Sequence, residues 1–97
     1  MNYFAATANA VNEQATAITL GKATHNIYTG TGDTWTLPAL STWPGLTYFI
    51  KNAGSGTLTI QRAGSDNIYT TTSVTSFTVA AGAAVIIAGG SSFWYVE

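Results

Sequence analysis

Bulky apolar residues alternate with threonine along most of this chain. Trp-Thr-Leu occupies residues 35–37, Leu-Thr-Ile residues 58–60 and Phe-Thr-Val residues 77–79. A period of two is typical of β-strands with one buried and one hydrated face, because successive side chains point to opposite sides of a sheet. The pattern begins at Ile18 and continues to the end of the chain. It predicts an all-β fold.

Two segments depart from this alternation, because residues 46–50 and 85–87 are almost uninterrupted apolar runs. Such runs are typical of strands that are covered on both faces. Pro38 should end its strand, since proline cannot donate a ladder hydrogen bond. Turn residues separate the segments at 30–33, 43–45, 53–56, 63–66 and 89–92. We therefore predict an antiparallel β-sandwich or jelly-roll-like module of about eight short strands.

An internal repeat suggests how these strands are grouped. Asn-Ile-Tyr-Thr occurs at residues 26–29 and again at residues 67–70, and weaker matches follow in the same order. The spacing is close to that of propeller blades, but two blades cannot close a ring. The repeat instead indicates two similar four-strand units, folded face to face or wound about a molecular axis.

The first 17 residues differ in composition from the rest. Alanine dominates residues 1–17, and strand alternation is missing there. We interpret residues 1–17 as a non-β N-terminal arm that attaches the protein to a partner, and residues 18–97 as one β domain.

Charge is scarce: 7% of the residues are charged, whereas an ordinary domain has about 25%. A surface with so few charges is expected to be covered by hydroxyl groups, by a partner or by both. This expectation favours a homo-oligomer. We expect the wet, Thr-bearing strand faces to meet other copies of the chain. A net charge of −1 with three scattered cations argues against nucleic-acid binding. No apolar run approaches the roughly 18 residues of a membrane span.

Groups suited to catalysis or metal binding are few. His25 is the only histidine, and the chain has no cysteine. Asp33 and Asp66 lie in Gly- and Ser-containing turns, where aspartate commonly bonds its own backbone. An enzyme would need His25, Asp33 and Asp66 to converge in one pocket. We predict no enzymatic activity, no cofactor, and neither catalytic nor metal-ligating residues.

Aromatic residues, which are 12% of the chain, are more informative about function than these polar groups. Trp35 and Trp94 lie on alternating strands, so we expect them to be buried. Exposed rings stack on sugars or anchor interfaces. We therefore predict two groups of functional aromatic residues. Trp43 and Tyr48 are predicted to bind a ligand, and an assembly interface is predicted at Tyr3, Phe4, Phe93 and Tyr95.

The order of short motifs after residue 35 has a counterpart in known proteins. Leu-Pro-Ala at 37–39 is followed by Pro-Gly at 44–45, Ile-Lys-Asn at 50–52, Thr-Leu-Thr-Ile at 57–60 and Trp-Tyr-Val at 94–96. This order resembles small β modules of bacteriophage tail-fibre, head-fibre, spike and capsid-decoration proteins. The likeness covers about two-thirds of the chain.

The resemblance implies a virion structural protein, commonly a homotrimer, with host-surface glycans as frequent targets. We therefore expect a small capsid decoration, head-fibre or spike subunit, held to other virion proteins through residues 1–17. The alternative is a glycan- or receptor-binding module at the tip of a tail fibre, which would act in host attachment. The resemblance carries no catalytic residue to any position of this chain.

Overall fold

The computed structural model describes residues 11–97 of the chain. This part contains eleven short strands and no helix. The strands are β1 (Asn12–Gln14), β2 (Ile18–Thr19), β3 (His25–Tyr28), β4 (Asp33–Thr36), β5 (Thr47–Asn52), β6 (Leu58–Gln61), β7 (Ile68–Tyr69), β8 (Ser73–Val74), β9 (Ser76–Val79), β10 (Ala84–Gly89) and β11 (Trp94–Val96). The all-β prediction is confirmed. Nothing in residues 11–97 is a helix long and apolar enough to span a membrane.

The strands form two sheets. Seven strands make one sheet in the order β1-β3-β5-β10-β11-β7-β8, and four make the other in the order β2-β4-β6-β9. The predicted turn segments fall between strands, apart from Asp33, which begins β4, and Gly89, which ends β10. Strand β4 ends at Thr36, shortly before Pro38, as expected of a residue that cannot donate to the ladder.

The first six strands wind as three turns of a flattened coil. The chain passes alternately between the two sheets, so β1, β3 and β5 are neighbours in one sheet and β2, β4 and β6 in the other. Asn26 of β3 pairs in parallel with Asn12 of β1 and Ile50 of β5, and Trp35 of β4 pairs in parallel with Ile60 of β6. Each pass brings the chain back in the same direction, and this makes the neighbours parallel.

The remaining strands turn back on the coil. Strand β9 pairs antiparallel with β6, and β10 pairs antiparallel with β5. Strand β11 extends the larger sheet beside β10, and β7 and β8 complete it. The larger sheet therefore places strands from the first and last parts of the chain next to one another.

Inward-facing side chains of both sheets fill one apolar core. Alternation within each strand supplies them, since every second residue points inward. Trp35 and Trp94 are buried, as predicted. The Trp35 ring meets Tyr28 edge to face, with centroids 5.6 Å apart, and its Nε1 donates to the Thr16 carbonyl oxygen at 3.0 Å. The other fully buried large side chains are Leu20, Leu37, Tyr48, Ile50, Leu58, Ile60, Ile68, Val79 and Ile87.

Strand pairing differs from the antiparallel arrangement of about eight strands that the sequence suggested. Both sheets are mixed, and five of their nine pairings are parallel. Alternation has the same period in parallel and antiparallel strands, so it cannot distinguish them. Two separate four-strand units are absent from residues 11–97, because strands from both predicted units are neighbours in each sheet.

The N-terminal arm also needs correction where the structure describes it. Residues 1–10 lie outside the described part, but Asn12–Gln14 form β1, paired with β3. Glutamine and asparagine side chains support this strand: the Asn12 amide donates to Asn26 Oδ1 at 2.9 Å, and the Gln14 amide donates to Asn12 Oδ1 at 2.8 Å. The boundary predicted at residue 17 is therefore wrong for β1.

Candidate functional site

The outer face of the seven-stranded sheet is apolar. Five large hydrophobic side chains in residues 11–97 are exposed, and all five lie on this surface, which we call the apolar face: Val11, Phe49, Tyr69, Ile86 and Tyr95. Each alternates with inward-facing neighbours along its strand or next to it, so strand geometry places them together on one side. They are 38% to 49% exposed.

The opposite surface, the outer face of the four-stranded sheet, is polar. Thr34, Thr59 and Thr78 are directly opposite one another on β4, β6 and β9. In the next row the Gln61 amide donates to Thr36 Oγ1 at 3.0 Å. We call this surface the hydroxyl face. The two outer faces of the molecule therefore differ sharply in chemistry.

A shallow groove crosses one half of the apolar face. Its volume is about 490 Å³. A row of side chains in register forms its floor, with His25 of β3 beside Phe49 of β5 and Ile86 of β10. The imidazole of His25 stacks on the Phe49 ring with centroids 4.8 Å apart. The groove is also lined by Val11, Asn26, Ile27, Ile50, Lys51, Ala84, Val85 and Glu97.

Lys51 and Glu97 supply the charges of the groove. The Lys51 ammonium donates to the Gly82 carbonyl oxygen at 2.7 Å, so part of its hydrogen-bonding capacity is already used. The groove has no cluster of three or more metal-ligating side chains, nor does any other region of residues 11–97. Its chemistry suits burial of an apolar surface.

Three aromatic rings form a second cluster on the apolar face. Tyr69 of β7 and Tyr95 of β11 pair in register, with ring centroids 6.0 Å apart. Phe93, just before β11, lies 5.7 Å from Tyr69 and 6.0 Å from Tyr95. We call these residues the aromatic triad.

A hydrogen-bonded polar trio lies next to the aromatic triad. The guanidinium of Arg62 donates to Asn67 Oδ1, and the Asn67 amide donates to Ser73 Oγ at 3.0 Å. Ser73 pairs with Tyr69 across β7 and β8. Asn67 and Tyr69 flank the buried residue Ile68, so their side chains lie on the same outer side of the sheet.

The two residues predicted to bind a ligand do not form a site together. Tyr48 is fully buried, its hydroxyl donates to the Gly21 carbonyl oxygen at 2.6 Å, and burial raises its pKa to about 12. Its ring packs 5.6 Å from Trp94. A ligand-binding role for Tyr48 is therefore wrong, because the ring has no free surface. Trp43 is half-buried in the loop between β4 and β5.

The residues predicted for assembly are divided between the described and the undescribed parts of the chain. Tyr3 and Phe4 lie outside the described residues. Phe93 and Tyr95 belong to the aromatic triad, and Tyr95 is 42% exposed. Trp94 between them points inward, so the Phe-Trp-Tyr sequence places rings on both faces of β11, as alternation predicts.

His25, Asp33 and Asp66 have separate surroundings. His25 lies on the apolar face, whereas Asp33 Oδ2 accepts a hydrogen bond of 2.5 Å from the Tyr28 hydroxyl. Burial and this bond to Asp33 raise the pKa of Tyr28. Asp66 Oδ2 accepts from the Leu40 backbone nitrogen at 2.8 Å. Asp33 thus connects β4 to β3, and Asp66 connects the loop before β7 to the loop after β4. The predicted requirement for a shared pocket is not met.

Sequence reasoning missed Phe49 and Ile86. Both lie in the apolar runs that were expected to be covered on both faces, yet they are 41% and 38% exposed. The signal was present, since a strand that is apolar on both sides needs cover on both sides. Within this chain the cover exists on the inner side, where Tyr48, Ile50 and Ile87 are buried.

Comparisons with known proteins give no relative. No protein-family model matches the chain, and neither a curated protein nor a solved structure is detectably similar to it.

Proposed function

We propose that this protein is a structural subunit of a bacteriophage virion, such as a capsid decoration, head-fibre or spike protein. It assembles as a homo-oligomer, with three copies as the expected number, and acts without catalysis or cofactor. The segment that precedes β1 holds it to other virion proteins. The resemblance of its motif order to phage β modules supports the class of protein, and the apolar face supports assembly.

The observation that carries the assembly proposal is the concentration of exposed apolar side chains on one face. Isolated apolar residues are normal on a protein surface, but a contiguous apolar patch is a mark of an interaction site. Full burial of a large apolar side chain is favourable by about 1.5–3 kcal/mol. Several partly exposed side chains such as Phe49 and Ile86 would together offset much of the entropy lost on association.

Assembly through a face fits this chain better than assembly through strand edges. The four edge strands of the two sheets are short: β2 and β8 have two residues each, β1 has three and β9 has four. Short edge strands offer few unpaired backbone groups, which disfavours edge-to-edge addition. The apolar face is larger, and a repeated patch of this kind can close a symmetric ring.

The proposed interface differs from the Thr-bearing faces that the sequence first suggested. Threonine hydroxyls on the hydroxyl face can be satisfied by water, so this face gains little from a second copy. The apolar face gains hydrophobic free energy when it is covered. We therefore assign subunit contact to the groove formed by His25, Phe49 and Ile86.

Light scattering after size-exclusion chromatography tests this proposal. The full chain is expected to elute as a closed oligomer whose mass is an integral multiple of 10.1 kDa. Immunogold labelling of purified phage particles with an antibody against the chain then tests the location. A monomer at all concentrations would contradict assembly, and unlabelled particles would contradict a virion component.

A further inference from the structure

The aromatic triad and the polar trio together have the features of a small-ligand site. Tyr69 and Tyr95 present ring surface to solvent at 40% and 42% exposure. The neighbouring trio presents hydrogen-bonding groups at the same surface. This combination is unlike the groove, whose floor is made of apolar side chains and the His25 ring.

We propose that the aromatic triad and the polar trio bind an oligosaccharide that carries a carboxylate. Tyr69 and Tyr95 stack on the apolar faces of sugar rings, while Ser73 and Asn67 bond sugar hydroxyls. Arg62 binds the carboxylate. This activity goes beyond subunit assembly and uses residues outside the groove.

The three rings of the triad are packed at angles to one another, so Tyr69 and Tyr95 do not lie flat against each other. The Tyr69 and Tyr95 rings are tilted by 49° to each other, and Phe93 meets Tyr69 nearly at right angles, at 77°. Phe93 packs against both tyrosine rings, and Tyr69 and Tyr95 are nevertheless 40% and 42% exposed, so ring surface of both remains open to a ligand. Tyrosine offers an apolar ring with a polar end, which matches the mixed surface of a sugar.

The trio supplies both orientation and charge. A guanidinium has five N–H donors in a fixed fork, so Arg62 retains donors after bonding to Asn67. Planar, charged donors of this kind suit carboxylate recognition. Asp66, the nearest carboxylate in sequence, accepts through Oδ2 from the Leu40 backbone nitrogen. The donors that Arg62 does not use on Asn67 are the groups that would bind the ligand's carboxylate.

A carbohydrate fits this area better than a second protein. Stable protein interfaces bury about 1,200–2,000 Å² in total, which is far more than three rings and three polar side chains provide. A sugar needs only a few stacked rings and hydrogen bonds. Binding through one such site should be weak, and several copies in an oligomer would strengthen it through multivalency.

A printed array of neutral and uronic-acid oligosaccharides, probed with the full labelled chain, tests the proposal. The chain is expected to bind uronic-acid members more strongly than their neutral counterparts. Tyr69→Ala and Tyr95→Ala should weaken binding by about tenfold or more, and Arg62→Gln should remove the preference for the acid. Thr78→Ala, on the hydroxyl face and away from both the groove and the triad, is the matched control and should leave sugar binding unchanged.

Circular dichroism and light scattering on the same variants separate the possible causes. Each triad variant should keep the β spectrum and the subunit number of the unaltered chain. The proposal is overturned if no oligosaccharide binds, if Thr78→Ala weakens binding as much as Tyr95→Ala does, or if Tyr95→Ala changes the subunit number instead. A changed subunit number with Tyr95→Ala would assign the triad to assembly. If Phe49→Lys alone abolishes assembly, that result bears on the groove and leaves the sugar site untouched.

Discussion

The imidazole ring of His25 lies almost parallel to the phenyl ring of Phe49, at an angle of 12°. The two residues are partners on adjacent parallel strands, and Ile86 continues their row on β10. A polar ring is thereby packed on an aromatic one in the floor of the groove. A change at Phe49 consequently alters the part of the apolar face that we assign to subunit contact.

Phe49→Lys is expected to dissociate the oligomer while leaving the subunit folded. The side chain at this position points out of the sheet, so lysine is tolerated in the isolated subunit, where the lost stack on His25 costs about 0.5–1.5 kcal/mol. In the assembled state the ammonium would be buried without a partner, at a cost of several kcal/mol. Light scattering over a dilution series measures the subunit number.

Thr78→Lys is the matched control for that substitution. It places the same charge on the hydroxyl face, opposite Thr59, and is expected to leave the subunit number unchanged. If Thr78→Lys dissociates the oligomer and Phe49→Lys does not, copies meet through their hydroxyl faces and our assignment of the interface is wrong.

Tyr48 should make stability depend on pH in the alkaline range. Its pKa is about 12 in the folded protein because burial disfavours the phenolate, whereas an unfolded chain has a value of about 10. The unfolded state therefore loses its proton first, and the stabilisation is complete below pH 10 and is lost as the pH rises to 12. Tyr28 acts in the same direction, since its pKa is also raised. Urea unfolding at several pH values measures the decline.

Tyr48→Phe tests the origin of that pH dependence. The substitution removes the titrating group and leaves the Gly21 carbonyl oxygen without its donor, so stability at neutral pH should fall by about 1–3 kcal/mol. The loss between pH 10 and pH 12 should become shallower, with the remainder assigned to Tyr28. An unchanged alkaline slope would exclude Tyr48 as its source.

Asn52→Asp is expected to be among the most damaging single-atom exchanges in this chain. The fully buried Asn52 amide donates to the carbonyl oxygens of Gly56 and Val79, both at 2.8 Å, and Oδ1 accepts from the Gly54 nitrogen at 3.0 Å. Aspartate would place an oxygen against two acceptors and add a charge to the core. We expect a loss of about 3 kcal/mol or more, measured by urea unfolding.

Thr78→Asn serves as the control for the loss at Asn52, since it changes an exposed polar side chain on the hydroxyl face. Its stability should remain within about 0.5 kcal/mol of the unaltered chain. Equal stability of Asn52→Asp and Thr78→Asn would mean that the buried amide does not join β5 to the following loop and to β9.

The repeated Asn-Ile-Tyr sequence shows what local pattern could and could not predict. In β3, Asn26 and Tyr28 are buried and Ile27 lies on the outer side. At β7 the order is reversed, because Ile68 is buried and Tyr69 is exposed. Identical tripeptides thus face opposite ways, since register is set by pairing partners and turns rather than by the segment itself.

Strand positions and core tryptophans were predictable for a related reason. Alternation around Trp35 and Trp94 indicates which face is inward, and both rings are buried. Pairing direction was not predictable, because it depends on the connections that carry the chain from one sheet to the other. The exposure of Phe49 was not predictable either. An apolar run indicates that both faces of a strand are covered, but it does not indicate whether the outer face is covered by the same chain or by another.

Gly54→Ala should destabilise the coil strongly, because successive turns meet at glycine. The loop after β5 stacks on the loop after β3: the Ser55 nitrogen donates to the Gly30 carbonyl oxygen at 3.1 Å. A Cβ at Gly54 would overlap that same oxygen, which belongs to the backbone and has little room to move. We expect a loss of about 3 kcal/mol, as is typical of overpacked sites.

Gly21→Ala is the matched control, since a Cβ there meets nothing within 4 Å. This substitution should be neutral or slightly stabilising. Urea unfolding compares the two variants, and similar midpoints would contradict the close stacking of the loops.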